Sequence, residues 1–232
     1  MKVDRVLQLN KQFELNNWNG FWKSESNFSL LKIKSWKYPV MISAPHAVNH
    51  IREGQMLWAD LLTWWLAVYL QEQCFVHCIT SQSFLIWDPN YDKTSEYKEN
   101  LLTYTKEHNI RFLIDLHGCW SHRNFSIEFW TWGKDHPNLH GNKKLLNLIR
   151  NSINKDLKSY FEHVWKGLTI NNMFPASSER TVSCFIANHA KIPTLQLEIN
   201  KNLRDVNQKE QLWKLITALE NLINQLIMFL SY

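Results

Sequence analysis

Three side chains suited to hydrolytic metal chemistry stand far apart in the chain, each at or near the end of a short apolar run. His46 follows Pro39–Ala44 (PVMISA), His117 follows Arg111–Leu116 (RFLIDL), and Glu198 falls within Pro193–Ile199 (PTLQLEI). Two imidazoles with one or two carboxylates are the donor set of a catalytic zinc site, which takes three protein ligands and keeps a position for water. The segment His46–Gly54 (HAVNHIREG) offers a third ligand nearby, either Glu53 or His50. Glu53 is preferred, since two histidines and a glutamate suit a hydrolytic zinc. Asp115 lies two residues before His117 and so shares its side of a strand, where it can orient the imidazole. Glu198 is the candidate base, able to take a proton from an attacking water and return it to the leaving amine. Arg123, soon after His117, could bind a substrate carboxylate or stabilise an oxyanion, and Arg180 could do the same work. A thiol nucleophile is the competing chemistry: Cys119 and His122 are three apart, but nothing nearby orients that imidazole or builds an oxyanion hole.

The elements that must position these groups alternate along the chain. Pro39–Ala44, Phe75–Thr80, Arg111–Leu116, Phe125–Trp132 and Pro193–Ile199 read as strands. Leu57–Leu70, Ser95–His108, Leu145–Leu157 and Gln208–Leu230 read as helices, the first apolar almost all round and the last two amphipathic. Strands alternating with helices predict an α/β domain with a mixed, mostly parallel sheet. Ligands of such sheets gather beyond the carboxyl ends of strands, so His46, His117 and Glu198 are expected on one edge.

The 232 residues, 45% hydrophobic and 20% charged, suit one domain spanning 1–232. A hairpin-like N-terminal segment, 1–38, is expected to pack on it, because Asn19-Gly20 is a tight-turn signal. Four cysteines lack zinc-finger spacing and fit reduced thiols. No run approaches the roughly 18 apolar residues of a membrane span; Leu212–Leu230 is broken by Lys214, Glu220, Asn221, Asn224 and Gln225. A cytoplasmic protein without a membrane partner is the expectation. The net charge of +5 is spread rather than clustered, which argues against nucleic acid and favours an anionic substrate. The stripe Leu212, Leu215, Leu219, Leu222, Leu226 and Leu230 fits a helix packed on the sheet, or the seam of a homodimer. Trp58, Trp87, Trp120, Trp130 and Trp132 cluster near the expected pocket, either as core or against a bulky aromatic substrate.

At these residues the chain resembles the N-formylglutamate amidohydrolase-like family, related to the zinc carboxypeptidase fold. The matching pieces are SAPHAVNHIREG (Ser43–Gly54), DPNYD (Asp88–Asp92), IDLHG (Ile114–Gly118) and TLQLEIN (Thr194–Asn200), in the family's order, with Thr181-Val182-Ser183 before the last strand. The resemblance implies a three-layer α/β/α sandwich, one zinc ion, and hydrolysis of an amide in an N-acyl amino acid or related carboxylate-bearing compound. A carboxypeptidase-like peptidase, or a non-catalytic protein retaining the fold, would share these motifs. By position the resemblance makes His46, His117 and Glu53 metal ligands and Glu198 the catalytic carboxylate. It makes Asp88, Asn90 and Arg123 polar contacts to the substrate or to the ligands.

Overall fold

The computed structural model describes residues 3–5, 7–9, 11, 31–164, 167–173, 176 and 178–231. The Asn19-Gly20 turn, and with it most of the expected N-terminal segment, lies outside these residues. The framework is a seven-stranded sheet of β1 (Leu31–Lys34), β2 (Tyr38–Ala44), β5 (Val76–Ser81), β6 (Phe112–Cys119), β7 (Ile127–Trp130), β8 (Leu168–Ile170) and β9 (Thr194–Asn200). Its order is β1-β5-β2-β6-β9-β7-β8. Strands β5, β2, β6 and β9 are parallel, whereas β1 and β7 run antiparallel to their inner neighbours. A separate hairpin, β3 (His50–Arg52) with β4 (Gln55–Leu57), stands off the sheet.

The central strands are buried on both faces, and the two faces differ in chemistry. Val40, Ile42, Ile114, Leu116, Leu195, Leu197, Ile127 and Phe129 belong to one core, completed by α1 (Thr63–Cys74), α3 (Lys143–Val164) and α5 (Lys209–Leu230). The leucine stripe of α5 is buried there, so it faces the sheet. Met41, Ile79 and Leu113 face the other way into a smaller core under α2 (Glu96–Glu107) and α4 (Val182–Ala190). The period of two then carries Ser43, Asp115, His117, Gln196, Glu198 and Glu128 onto this second face, as their registers across β2, β6, β9 and β7 require. Helices on both faces of a mostly parallel sheet make the expected three-layer sandwich.

One expected element is shorter than its apolar run. The run Leu57–Leu70 predicts a helix, but α1 begins only at Thr63. The N–H of Asp60 donates to the His46 carbonyl at 2.8 Å, the backbone and hydroxyl of Thr63 both donate to the Asp60 carbonyl, and Leu62 is left-handed at φ 75°. These bonds hold 58–62 as a loop across the end of β2. Side-chain caps start two of the other helices: Ser95 accepts from the Lys98 N–H at the start of α2, and Thr181 from the Cys184 N–H at the start of α4.

Candidate active site

Beyond the carboxyl ends of β2 and β6, two imidazoles converge on one carboxylate. His46 leaves β2 through a turn held by the Ser81 hydroxyl, which donates to the Pro45 carbonyl at 2.7 Å. His117 lies on β6. Their Nδ1 atoms stand 3.6 and 3.4 Å from Asp60 Oδ2, and the rings meet edge to face at 4.8 Å. Each Nε2 turns to a different buried aspartate: His46 to Asp88 Oδ1 at 2.8 Å, His117 to Asp115 Oδ2 at 3.2 Å. Those aspartates are themselves fixed. Asp88 accepts from the Arg52 Nε–H at 2.6 Å and the Asn90 N–H at 2.8 Å. Asp115 accepts from the Ser43 hydroxyl at 2.7 Å.

This arrangement fits a metal ion. Donors about 2.0–2.1 Å from zinc at tetrahedral angles stand about 3.3–3.5 Å apart, close to the observed Nδ1···Oδ2 separations. A carboxylate on the far nitrogen of each histidine is the usual support of a metal-binding imidazole, since it fixes the tautomer and raises ligand basicity. Electrostatics agree. Burial disfavours charge on both rings, yet Asp60 and Asp88 outweigh it to raise His46, and Asp115 and Asp60 outweigh it to hold His117 well above its ordinary value. Burial likewise opposes charge on Asp60 and Asp88, but the imidazoles hold both well below the usual carboxylate range. A divalent cation bound between the two imidazoles would compete with their protons.

His46, His50 and Asp88 form a second convergent group. It shares His46 with the first, and the Arg52 guanidinium already sits on Asp88 Oδ2, so a cation there would meet a fixed positive charge. His50 stacks face to face on His46 at 4.2 Å with Nδ1 against the Val48 carbonyl at 3.2 Å. It supports the ring of His46 from behind.

Glu198, only 9% exposed, lies in register with His117 on β6 and with Glu128 on β7. Burial, with Asp60 adding, raises its carboxyl above the ordinary value against the pull of His117 and His46, and the Gln196 amide donates to its Oε1 at 3.2 Å. Glu128 is turned to another task, accepting the N–H groups of Asn172 and Met173. The buried counter-charge is Arg204, which donates to the carbonyls of Ile199, Cys119 and Leu61. A Cβ at position 118 would come within 2.3 Å of its Nη2, so Gly118 provides the room that this guanidinium occupies.

The expected site residues divide accordingly. His46, His117, Asp115, Asp88 and Glu198 are brought together. Glu53 is not: it sits in the β3–β4 turn with φ 50°, and its carboxylate accepts the Tyr91 hydroxyl. Asp60 holds the place beside the imidazoles that Glu53 was expected to take. Asn90 uses its carbonyl oxygen to accept the Val182 N–H at the start of α4. Arg180 is exposed, with its guanidinium over the Tyr91 ring at 4.9 Å. Arg123 follows β6 in a turn, its N–H on the Trp120 carbonyl, and lines neither cavity at the site. Burial and Glu198 push the Cys119 thiol up to about 12, the opposite of what a thiol nucleophile needs. Asp60, Arg52 and Arg204 were missed. Asp60 is the single charge in LWADLLTWW, and that isolation was the available signal.

The cluster opens on a cleft formed by two cavities of about 260 and 230 Å³. Trp58, Asp60 and Trp120 border both, Lys201 and Arg204 line the first, and His46, His50 and Arg52 line the second.

No protein-family model matches the chain. No curated protein matches it either. Solved structures do match in shape. N-formylglutamate amidohydrolase from Ralstonia eutropha aligns over 85% of this chain and 97% of its own, with TM-score 0.58 and 10% identity. A gene product of Agrobacterium tumefaciens aligns over 88% and 97%, with TM-score 0.52 and 11% identity. A bacteriophage poly-gamma-glutamate hydrolase aligns over 93% and 97%, with TM-score 0.50 and 13% identity. These likenesses establish a shared architecture, the mixed, mostly parallel sheet with helices on both faces seen in amidohydrolase folds. Among the described residues no helix is long and apolar enough to cross a membrane.

Proposed function

We propose that this protein is a metal-dependent hydrolase that cleaves an amide bond in an N-acyl amino acid or related carboxylate-bearing compound. The observation that carries the reading is the paired histidine geometry: both Nδ1 atoms face Asp60 while both Nε2 atoms rest on buried aspartates. Shape similarity to structures named as an amidohydrolase and a poly-gamma-glutamate hydrolase supports the same class of reaction.

His46, Asp60 and His117 would hold the ion, with zinc the best match to two nitrogens and one carboxylate. A bound zinc ion supplies Lewis acidity toward a carbonyl or a water. Asp88 and Asp115 keep the two rings in the tautomer that offers Nδ1. Glu198 takes the proton of the attacking water and delivers it to the departing amine, and its buried setting, with a raised affinity for protons, suits both halves of that transfer. Arg204 offsets the carboxylates from below the cleft. Lys201 and Arg52 give a substrate carboxylate cationic partners on the cleft walls. Arg123, in the turn after β6, remains a candidate for the same contact or for oxyanion stabilisation, and Arg180 is set farther out against Tyr91.

The test is metal content of protein purified without a metal-binding tag, beside His117→Ala. Near-stoichiometric zinc in the parent, its loss in the variant, and release of amine from N-acyl amino acids only by the zinc-loaded parent are expected. A parent that neither carries nor takes up zinc would overturn the assignment.

A further inference from the structure

Trp58 lies two residues before Asp60, and Trp120 three after His117, so short tethers tie both indoles to the candidate metal ligands. They are 67% and 58% exposed, in a chain whose Trp65 is fully buried. Leaving an indole in water forgoes a large hydrophobic gain, and here two are left out at the rim of one cleft. Their main chain is well anchored. The Ala59 N–H donates to Asn49 Oδ1 at 2.8 Å, and the Trp120 carbonyl accepts the Arg123 N–H at 3.2 Å. The rim beside them is cationic: Lys201 Nζ stands 5.8 Å from the Trp120 ring centroid, and Arg52 lines the cavity on the other side. Among the described residues, Asp60 is the one carboxylate lining either cavity.

We propose that Trp58 and Trp120 form a clamp for an aromatic ring on the carboxylate-bearing half of the substrate, which makes N-acyl aromatic amino acids the preferred class. The inference rests on the amidohydrolase reading for the scissile bond, and it adds which amino acid lies beyond that bond. A flat ring gains offset-stacked or edge-to-face contact with both indoles. Its neighbouring carboxylate reaches Lys201 or Arg52. An aliphatic side chain loses the ring contact, and an acidic one brings a second charge against indole surface.

The experiment compares N-acetyl-L-phenylalanine, N-acetyl-L-alanine and N-acetyl-L-glutamate, by calorimetric binding to metal-free protein and by hydrolysis with zinc-loaded protein. Binding of the phenylalanine compound about ten-fold more tightly than either other is expected, the gain of one or two aromatic contacts. In Trp58→Ala and Trp120→Ala that preference should shrink to about three-fold or less, with Trp58→Phe and Trp120→Phe restoring part of it. Equal binding of the three compounds, tighter binding of the glutamate compound, or a preference unchanged in both alanine variants would overturn the clamp. Ring-selective binding with hydrolysis of none of the three would uphold the clamp and overturn the amidohydrolase reading. Hydrolysis of all three without ring selectivity would do the reverse.

Discussion

Replacing Asp60 by asparagine tests the ligand set at its centre. The change keeps the shape of the side chain and removes one unit charge 3.4–3.6 Å from the Nδ1 atoms of both histidines. At an effective dielectric near 20, a charge pair about 4 Å apart is worth about 4 kcal/mol, and desolvation offsets part of it. A net loss of about 2.7 kcal/mol, or about 100-fold in zinc affinity, is a conservative expectation. The consequence is measurable as thermal stability. Zinc at about 1,000 times its dissociation constant stabilises the parent by about 4.1 kcal/mol, and the same zinc stabilises a 100-fold weaker variant by about 1.4 kcal/mol. For a chain of this size each kcal/mol moves the melting temperature by about 2–4 °C. The zinc-induced rise in Asp60→Asn should therefore be about 5–11 °C smaller than in the parent. Comparing each protein with and without zinc removes the separate effect of the charge change on the metal-free fold. Glu53→Gln is the control, with its carboxylate engaged by Tyr91 away from the imidazoles. A full zinc shift in Asp60→Asn, or its loss in Glu53→Gln, would refute the reasoning.

Glu198→Gln should keep zinc and lose about 10²–10⁴-fold in turnover, the usual contribution of a positioned acid–base group; metal analysis beside amine release checks both halves, and undiminished turnover removes Glu198 from the reaction. The metal-free protein should lose stability as pH rises above the ordinary histidine value of about 6.5. His46 and His117 have folded values raised above 6.5, so their contribution is complete below the unfolded value and is lost as pH climbs through the folded ones. Asp60 and Asp88, held low, contribute above about pH 4 and lose that contribution on acidification. Melting curves of chelator-treated protein across pH check this, and a melting temperature that climbs steadily above the histidine value contradicts it. Gly118→Ala puts a methyl group 2.3 Å from the Arg204 guanidinium and should cost about 1–3 kcal/mol; urea unfolding that matches the parent would mean Arg204 has room to move.

The strand ends were legible because buried parallel strands write themselves as short apolar runs, and a polar residue at the end of such a run is conspicuous. His46, His117 and Glu198 were found in that way, with Asp115 by the period of two. Asp60 was hidden by the same rule. An apolar run of this length reads as one helix, and bonds to distant segments, among them Asp60 to His46 and Ala59 to Asn49, delay the helix by six residues. Glu53 was preferred because two histidines and a glutamate suit a hydrolytic zinc, but the left-handed turn at Glu53 and Gly54 carries it outward to Tyr91. Arg204 stood beyond the last strand with no pattern around it, because its partners are main-chain carbonyls from three separate segments.

Gly118 and Arg204 are coupled through the space they share. Any larger residue at position 118 collides with the guanidinium, while shortening Arg204 leaves the carbonyls of Cys119, Ile199 and Leu61 without their donor. A lineage changing this corner would therefore pass through an intermediate weakened at one of the two positions. Among homologous sequences, glycine at 118 and arginine at 204 are expected to be kept or lost together.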